Sequence, residues 1–130
     1  MTGVCNKIFN CSLTKFENPD FVDESQQLGV VTVDLRDKNF DYIVSSYREQ
    51  SQKVLSFRQL DAVNLVIFIS IDVLDSFLIG EVVDKINEID LSHNFDKIAF
   101  CAVGMTSVYR VLTYDSWKAV YELSDMIYLD

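Results

Sequence analysis

The stretch LVIFISIDVLDSFLIGEVVDKI, residues 65–86, decides the fold class of this 130-residue chain. Its first part belongs to an apolar run, residues 64–73, and the lack of polar alternation there predicts a strand covered on both faces of a sheet. Its second part has apolar residues at three- and four-residue spacing, which predicts an amphipathic helix ending near Glu88 or Ile89. A buried strand that leads directly into a helix is typical of an α/β layer.

Upstream of this stretch the same alternation of patterns is found. Residues 30–35 predict a strand, and residues 40–57 carry an apolar stripe that predicts an amphipathic helix. The first 28 residues are less regular. Residues 7–16 predict an edge strand, and residues 17–27, with the single proline, predict an acidic loop.

Downstream, residues 97–103 predict a third buried strand that Gly104 ends. Thr106 or Ser107 can cap a helix, whose apolar residues continue, with a restart at Asp115, as far as Tyr121. Residues 126–129 predict a short closing strand. We therefore predict one α/β domain over residues 1–130, with a mixed, mostly parallel central sheet covered by amphipathic helices.

The charge of the chain restricts its partners. Twenty acidic and 11 basic residues give a formal net charge of −9, which repels nucleic acid and anionic membranes and favours solubility or a basic protein partner. No apolar run is long enough to span a membrane. The N-terminal residues carry neither a secretory nor a transit signal, so we expect a cytoplasmic protein. We also expect its three cysteines to be reduced and Cys101 to lie in the core.

Motifs for catalysis and cofactor binding are missing from the sequence. The four glycines are scattered and form no phosphate-binding loop, so we expect no nucleotide cofactor. The single histidine, His93, stands in a polar loop without a second histidine or a cysteine to share a metal ion. No nucleophile motif accompanies it. The sequence therefore predicts a protein that is not an enzyme.

Four carboxylates near strand ends leave one enzymatic alternative open. Asp34, Asp37, Asp72 and Asp75 could hold a divalent cation in a metal-dependent phosphoacceptor, although they are also ordinary turn and helix-start residues. An acidic inhibitor that mimics nucleic acid is a further alternative. It would need the acidic residues on one face, whereas the sequence distributes them among the loops.

Three pieces of the chain, taken in order, can be compared with a known domain family: VVTVDLRDKNFD (30–41), LVIFISIDVLDSFLIGEVVDKI (65–86) and KIAFCAVGMTSV (97–108). This order resembles the STAS domain family, especially its anti-sigma-factor antagonists and stressosome-like members, over residues 30–112. In that family a serine that follows a hydrophobic strand and an aspartate is phosphorylated by a partner kinase. By this match Ser76 is the phosphorylation site.

The resemblance implies a regulatory adaptor that binds a protein partner, either a serine kinase of the anti-sigma ATPase type or a scaffold complex. An assembly of several copies is compatible with it. The residues implied to contact the partner lie beside the serine or in neighbouring loops: Asp75, Phe77, Asp37, Gly104, Met105 and Thr106.

Departures from the family pattern leave a second hypothesis about the function open. Phe77 follows the serine where many antagonists have a serine and a glycine, or a glycine alone. A non-switching scaffold subunit of a lipid-transport or stressosome-like complex would share the fold. In such a subunit Ser76 would only cap its helix.

Overall fold

A computed structural model describes residues 2–38, 41–54, 59–70, 76–89, 94–103, 108–123 and 127–128 of the chain. These residues contain three helices and eight strands. In chain order they are α1 (Thr2–Phe9), β1 (Thr14–Lys15), β2 (Phe21–Asp23), β3 (Leu28–Asp34), α2 (Asp41–Val54), β4 (Ala62–Ser70), α3 (Ser76–Ile89), β5 (Lys97–Val103), β6 (Val108–Asp115), β7 (Val120–Leu123) and β8 (Ile127–Tyr128). None of the described helices has the length and apolar character needed to cross a bilayer.

The strands form one mixed sheet in the order β1 to β7, and β8 also pairs with β6. The predicted α/β class is confirmed, but the prediction of a mostly parallel sheet is wrong. Among the described strands only β3 with β4 and β4 with β5 are parallel, and the other five pairings are antiparallel. Parallel neighbours need a crossover connection, and α2 and α3 supply the two that the described strands have.

The central strand β4 is buried on both faces, as the apolar run predicted. Leu65 and Ile67 face the side covered by α2 and α3, where they join the larger core cluster. Tyr47 of α2 packs edge-on against Phe95 in this cluster, with ring centroids 5.7 Å apart. The predicted strands over 30–35, 97–103 and 126–129 and the two predicted amphipathic helices are all confirmed, with ends that differ by a few residues.

The opposite face of the sheet is covered by α1, where the sequence predicted a strand over residues 7–16. That prediction is wrong for residues 7–9, because Val4, Cys5 and the partly buried Ile8 and Phe9 fit a helical face on the second core cluster. The helix ends in a Schellman arrangement: Asn10 has φ 50° and the Cys11 N–H donates to the carbonyl of Asn6 at 3.1 Å. Cys101 lies in the same cluster, which confirms it as a core residue.

Residues 17–27 contain β2, so the prediction of an acidic loop there is wrong in part. Asp23, at the end of β2, is buried and satisfies several donors. Its carboxylate accepts the N–H of Ser12 at 2.8 Å, and the N–H and hydroxyl of Ser25 at 2.9 and 2.7 Å. It also accepts the N–H of Gln26 at 3.2 Å. One side chain thus joins the segment after α1 to the turn between β2 and β3.

The predicted helix from Thr106 or Ser107 to Tyr121 is wrong, since its described part forms the β6–β7 hairpin. The hairpin turn is built by Asp115, whose carboxylate accepts the N–H groups of Trp117 and Lys118, each at 3.0 Å. Ala119 then adopts φ 55° and its N–H donates to the Asp115 carbonyl at 2.8 Å. Glycine is the usual residue at a positive φ, so alanine there conceals the turn in the sequence.

A methyl group should act in opposite directions at two glycines. A Cβ on Gly29 would lie 2.7 Å from Leu60 Cδ1 and 2.8 Å from Pro19 Cγ, whereas one on Gly80 meets nothing within 4 Å. Because the proline ring cannot move aside as a flexible side chain can, we expect Gly29→Ala to lower the free energy of unfolding by about 1–3 kcal/mol. Gly80→Ala, inside α3, should raise it by about 0.5–1 kcal/mol. Urea unfolding of both variants measures this, and equal effects would contradict the described packing.

Stability should depend on pH through Asp23. The hydrogen bonds, led by the one from the Ser12 N–H, hold the pKa of this carboxyl below its ordinary value. The stabilisation is therefore complete above the unfolded pKa of about 3.9, and it is lost as the pH falls through the lower folded pKa. Asp23→Asn should be less stable than the wild type at pH 7, with the difference shrinking at acidic pH. Urea midpoints across this range test it against Asp61→Asn, an exposed control. A difference that does not change with pH would refute this role.

Candidate functional site

The three parallel strands end at one edge of the sheet, which we call the carboxyl edge. Ser70, the last residue of β4, pairs with Val103 of β5, and Asp34, the last residue of β3, pairs with Phe68. Helix α3 starts at Ser76, with five residues between it and the end of β4, so its N-terminus belongs to this edge as well. Binding sites of open α/β sheets are commonly found outside the carboxyl ends of their strands.

An open cleft of about 510 Å³ lies at the carboxyl edge and is lined by Asp34, Arg36 and Asp37. The chain is held there by Leu35, which is buried and whose N–H donates to the Phe68 carbonyl at 2.8 Å. A turn follows, closed by the Lys38 N–H donating to the Leu35 carbonyl at 3.1 Å. Burial of Leu35 therefore leaves the cleft side chains on the exposed side of the turn.

Asp34 and Arg36 form a two-pronged ion pair in the cleft. Arg36 donates from Nε to Oδ1 at 2.8 Å and from Nη2 to Oδ2 at 2.5 Å, and its backbone N–H reaches Oδ1 at 3.2 Å. The side-chain hydrogen bonds from Arg36 are the largest cause of a lowered pKa of the Asp34 carboxyl. Both carboxylate oxygens are thus engaged, and the guanidinium would compete with a metal ion for this carboxylate.

The charges of this turn are mixed rather than only acidic. Lys38 lies over the ring of Tyr42 in the first turn of α2, with Nζ 5.6 Å from the ring centroid. Two bases, Arg36 and Lys38, therefore accompany Asp34 and Asp37. Over the part of the chain that the structure describes, no three His, Cys, Asp or Glu side chains come together as a metal site.

The structure places only some of the predicted site residues. Asp37 lines the cleft, and Ser76 and Phe77 are the first two residues of α3, described by their backbone alone. Other predicted residues lie outside the described residues: Asp72, Asp75, His93, Gly104, Met105 and Thr106. Sequence reasoning missed Arg36, although an arginine two residues after an acid in a turn could have signalled the ion pair.

The buried thiols are poor nucleophiles. Burial raises the pKa of Cys5 to about 11 and that of Cys101 to about 12. Cys11, which is partly buried, has a raised pKa for the same reason. All three cysteines are free thiols, and they are protonated at neutral pH, which removes the reactive thiolate form.

Comparison of the chain with models of protein families, with curated proteins and with solved structures gave no match. The resemblance to STAS domains therefore stays a hypothesis drawn from the sequence.

Removal of the Arg36 guanidinium should raise the pKa of Asp34. In Arg36→Gln the carboxyl loses both side-chain hydrogen bonds, so its pKa should rise towards the ordinary value of about 3.9. Carboxyl ¹³C shifts followed through an acid titration measure this directly. Lys53→Gln is the matched control, because it removes the exposed pair of Lys53 with Glu49 at 3.4 Å. An unchanged Asp34 titration in Arg36→Gln would show that the pair does not persist in solution.

Proposed function

We propose that this chain is a protein-binding regulatory module of the anti-sigma-factor-antagonist kind, switched when a partner kinase phosphorylates Ser76. The observation that carries the proposal is the position of Ser76. It is the first residue of α3, directly after the connection from the central strand, and it belongs to the same edge of the sheet as the open cleft.

A phosphate is compatible with the start of α3. The first backbone N–H groups of a helix have no partner within the helix, and the helix dipole favours negative charge at that end. The first turn of α3 contains no acidic residue that would repel the phosphate. A phosphoserine carries about two negative charges at neutral pH, and the helix start can hold them without unfolding.

The same modification would change the surface that a partner meets. Asp37 is exposed in the cleft, while the charge of Asp34 is balanced by its pair with Arg36, so a phosphate would add about two negative charges to an edge of mixed charge. A partner docked over an unmodified serine would then face a desolvated dianion and the exposed Asp37 at one edge. Such a juxtaposition costs several kcal/mol, which is enough to release a partner of moderate affinity.

The proposal requires no catalysis by this chain. Its partner supplies the kinase activity together with ATP and Mg²⁺. A constitutive scaffold subunit with the same fold is the competing function, and the difference between the two is whether modification of Ser76 changes binding.

Phosphate transfer from a kinase tests whether Ser76 is the phosphorylation site. Purified protein is incubated with candidate serine kinases of the anti-sigma type and ATP, and the phosphorylated peptide is identified by mass spectrometry. We expect one phosphate, on Ser76, which disappears in Ser76→Ala. Ser45→Ala is the control, since Ser45 is an exposed serine of α2 whose hydroxyl donates to the Tyr42 carbonyl at 3.2 Å. Phosphate that persists in Ser76→Ala would refute the assignment.

The affinity of the chain for a partner kinase tests whether a negative charge at Ser76 weakens the complex. With a kinase that modifies the chain, Ser76→Glu should weaken the complex about tenfold or more in calorimetry, and Asp37→Lys should alter its affinity without changing the fold. Equal binding by the wild type and Ser76→Glu would favour the constitutive scaffold instead.

A further inference from the structure

Strand β7 presents an apolar surface at the end of the sheet. Val120, Tyr121 and Leu123 are 51%, 45% and 56% exposed, and Trp117 in the preceding turn is 65% exposed. Within the described part of the chain, no strand lies beyond β7 in the sheet order. Its outward backbone N–H and C=O groups can therefore pair with an added strand, and the apolar side chains beside them favour such docking.

The opposite edge of the sheet has the features of a protected edge. Strand β1 there is two residues long, and Thr14 and Lys15 are both exposed. Short edge strands and edge lysines hinder pairing with another chain. The two edges of one sheet thus differ, and only β7 combines four residues of strand with a mainly apolar sequence, VYEL.

Helix α3 contributes negative charge next to β7. Asn87 of α3 donates to the hydroxyl of Tyr114 at 3.2 Å, and the ring of Tyr114 lies 5.0 Å from that of Tyr121. The pKa of Tyr121 is raised by burial, then by Tyr114 and by the carboxylate of Asp84, so the charge of Asp84 acts on this ring. Glu88 follows Asp84 by one helical turn and is exposed.

The other face of β7 is acidic too. The register pairs Tyr121 with Tyr114 and Leu123 with Leu112, which places Tyr121 and Leu123 on the α3 side and Glu122 on the opposite side. Glu122 is exposed. The described basic residues of the hairpin, Arg110 and Lys118, lie in β6 and in the turn, so Glu122 is the one charged residue of β7 itself.

We propose that β7 is the docking site for an extended segment of a partner protein in which apolar residues alternate with lysine or arginine, and that this segment adds to the sheet as a further strand. Backbone hydrogen bonds to β7 would hold it. Its apolar side chains would cover Tyr121 and Leu123 on the α3 side, its basic side chains would meet Glu122 on the opposite side, and Asp84 would add to the negative charge that attracts the segment. The proposal goes beyond the regulatory function above, because it needs neither Ser76 nor a kinase.

A second copy of this chain fits the edge less well. Each copy has a net charge of −9, and β7 offers no basic residue to the other. A two-fold antiparallel pairing centred on Glu122 would place two glutamates opposite each other. One centred on Tyr121 would place each Glu122 beside Val120 of the other copy. Like charges opposite each other in a sheet are destabilising, so a basic partner is favoured.

The test uses an eight-residue peptide of alternating lysine and valine, and a matched peptide of alternating glutamate and valine. Binding to the full chain is followed by the fluorescence of Trp117, the single tryptophan, and by amide ¹⁵N shifts. We expect saturable binding of the lysine peptide with shifts concentrated on residues 120–123, and none with the glutamate peptide. Asp84→Lys with Glu122→Lys should weaken binding about tenfold or more.

The control for the Asp84 and Glu122 double variant is a second double variant, which has the same change of net charge at residues far from β7. Glu17 and Glu24 are exposed in the N-terminal region, before β2 and after it, and Glu17→Lys with Glu24→Lys should leave the affinity within about twofold. Leu123→Thr, which keeps the charge, should weaken binding about threefold to tenfold through the lost apolar contact. It serves as the test if the double lysine variant does not fold.

Four results would overturn the proposal: no saturable binding, equal weakening in both lysine double variants, shifts outside β7 and its neighbours, or self-association through β7 in sedimentation. Ser76→Ala should bind the peptide as the wild type does. A loss of binding in that variant would place the peptide at the carboxyl edge, and would contradict the proposal for β7 without affecting the one for Ser76.

Discussion

Burial of β4 on both faces is the constraint on which the rest of the structure depends. Seven consecutive residues of this strand, Val63 to Ile69, are buried. Each large apolar side chain among them contributes about 1.5–3 kcal/mol when it is covered. One face is covered by α2 and α3, which also make the parallel connections, and the other by α1. The one polar residue in the run is hydrogen-bonded, because Asn64 Oδ1 accepts the Lys97 N–H at 3.1 Å. This arrangement brings the ends of β3, β4 and β5 and the start of α3 to one edge.

The sequence predicts this central part well and the flanks poorly, for a physical reason. A nearly continuous apolar run, as in β4, and apolar residues at three- and four-residue spacing, as in α3, are each compatible with few secondary structures. The structure contains both the predicted strand and the predicted helix. The hairpin of β6 and β7 was missed because its turn depends on the carboxylate of Asp115 and on Ala119 at positive φ. Neither is a strong turn signal. Helix α1 was missed because a helix of eight residues gains its stability from packing on the sheet, which local sequence does not report.

The candidate site, like the fold, is predicted by the sequence only in part. The sequence pointed to the carboxyl edge through Asp37 and Ser76, and the structure places an open cleft there. The sequence does not predict the ion pair of Arg36 with Asp34, and this pair changes the chemistry, since the guanidinium would compete with a metal ion for the carboxylate. The sequence does not predict the edge strand β7, because it predicts a helix for that segment. The register with β6 shows which face of the sheet each exposed apolar residue of β7 lies on.

If the carboxyl edge is a switched surface, as we propose, Ser76 should carry a phosphate in living cells to an extent that changes with conditions. The chain would be isolated from its own cells in growth and under stress, with phosphatases inhibited, and its intact mass and phosphopeptides determined. We expect two populations that differ by one phosphate, located on Ser76, with a ratio that changes between conditions. A single unmodified population in every condition, or a phosphate at another residue, would contradict it.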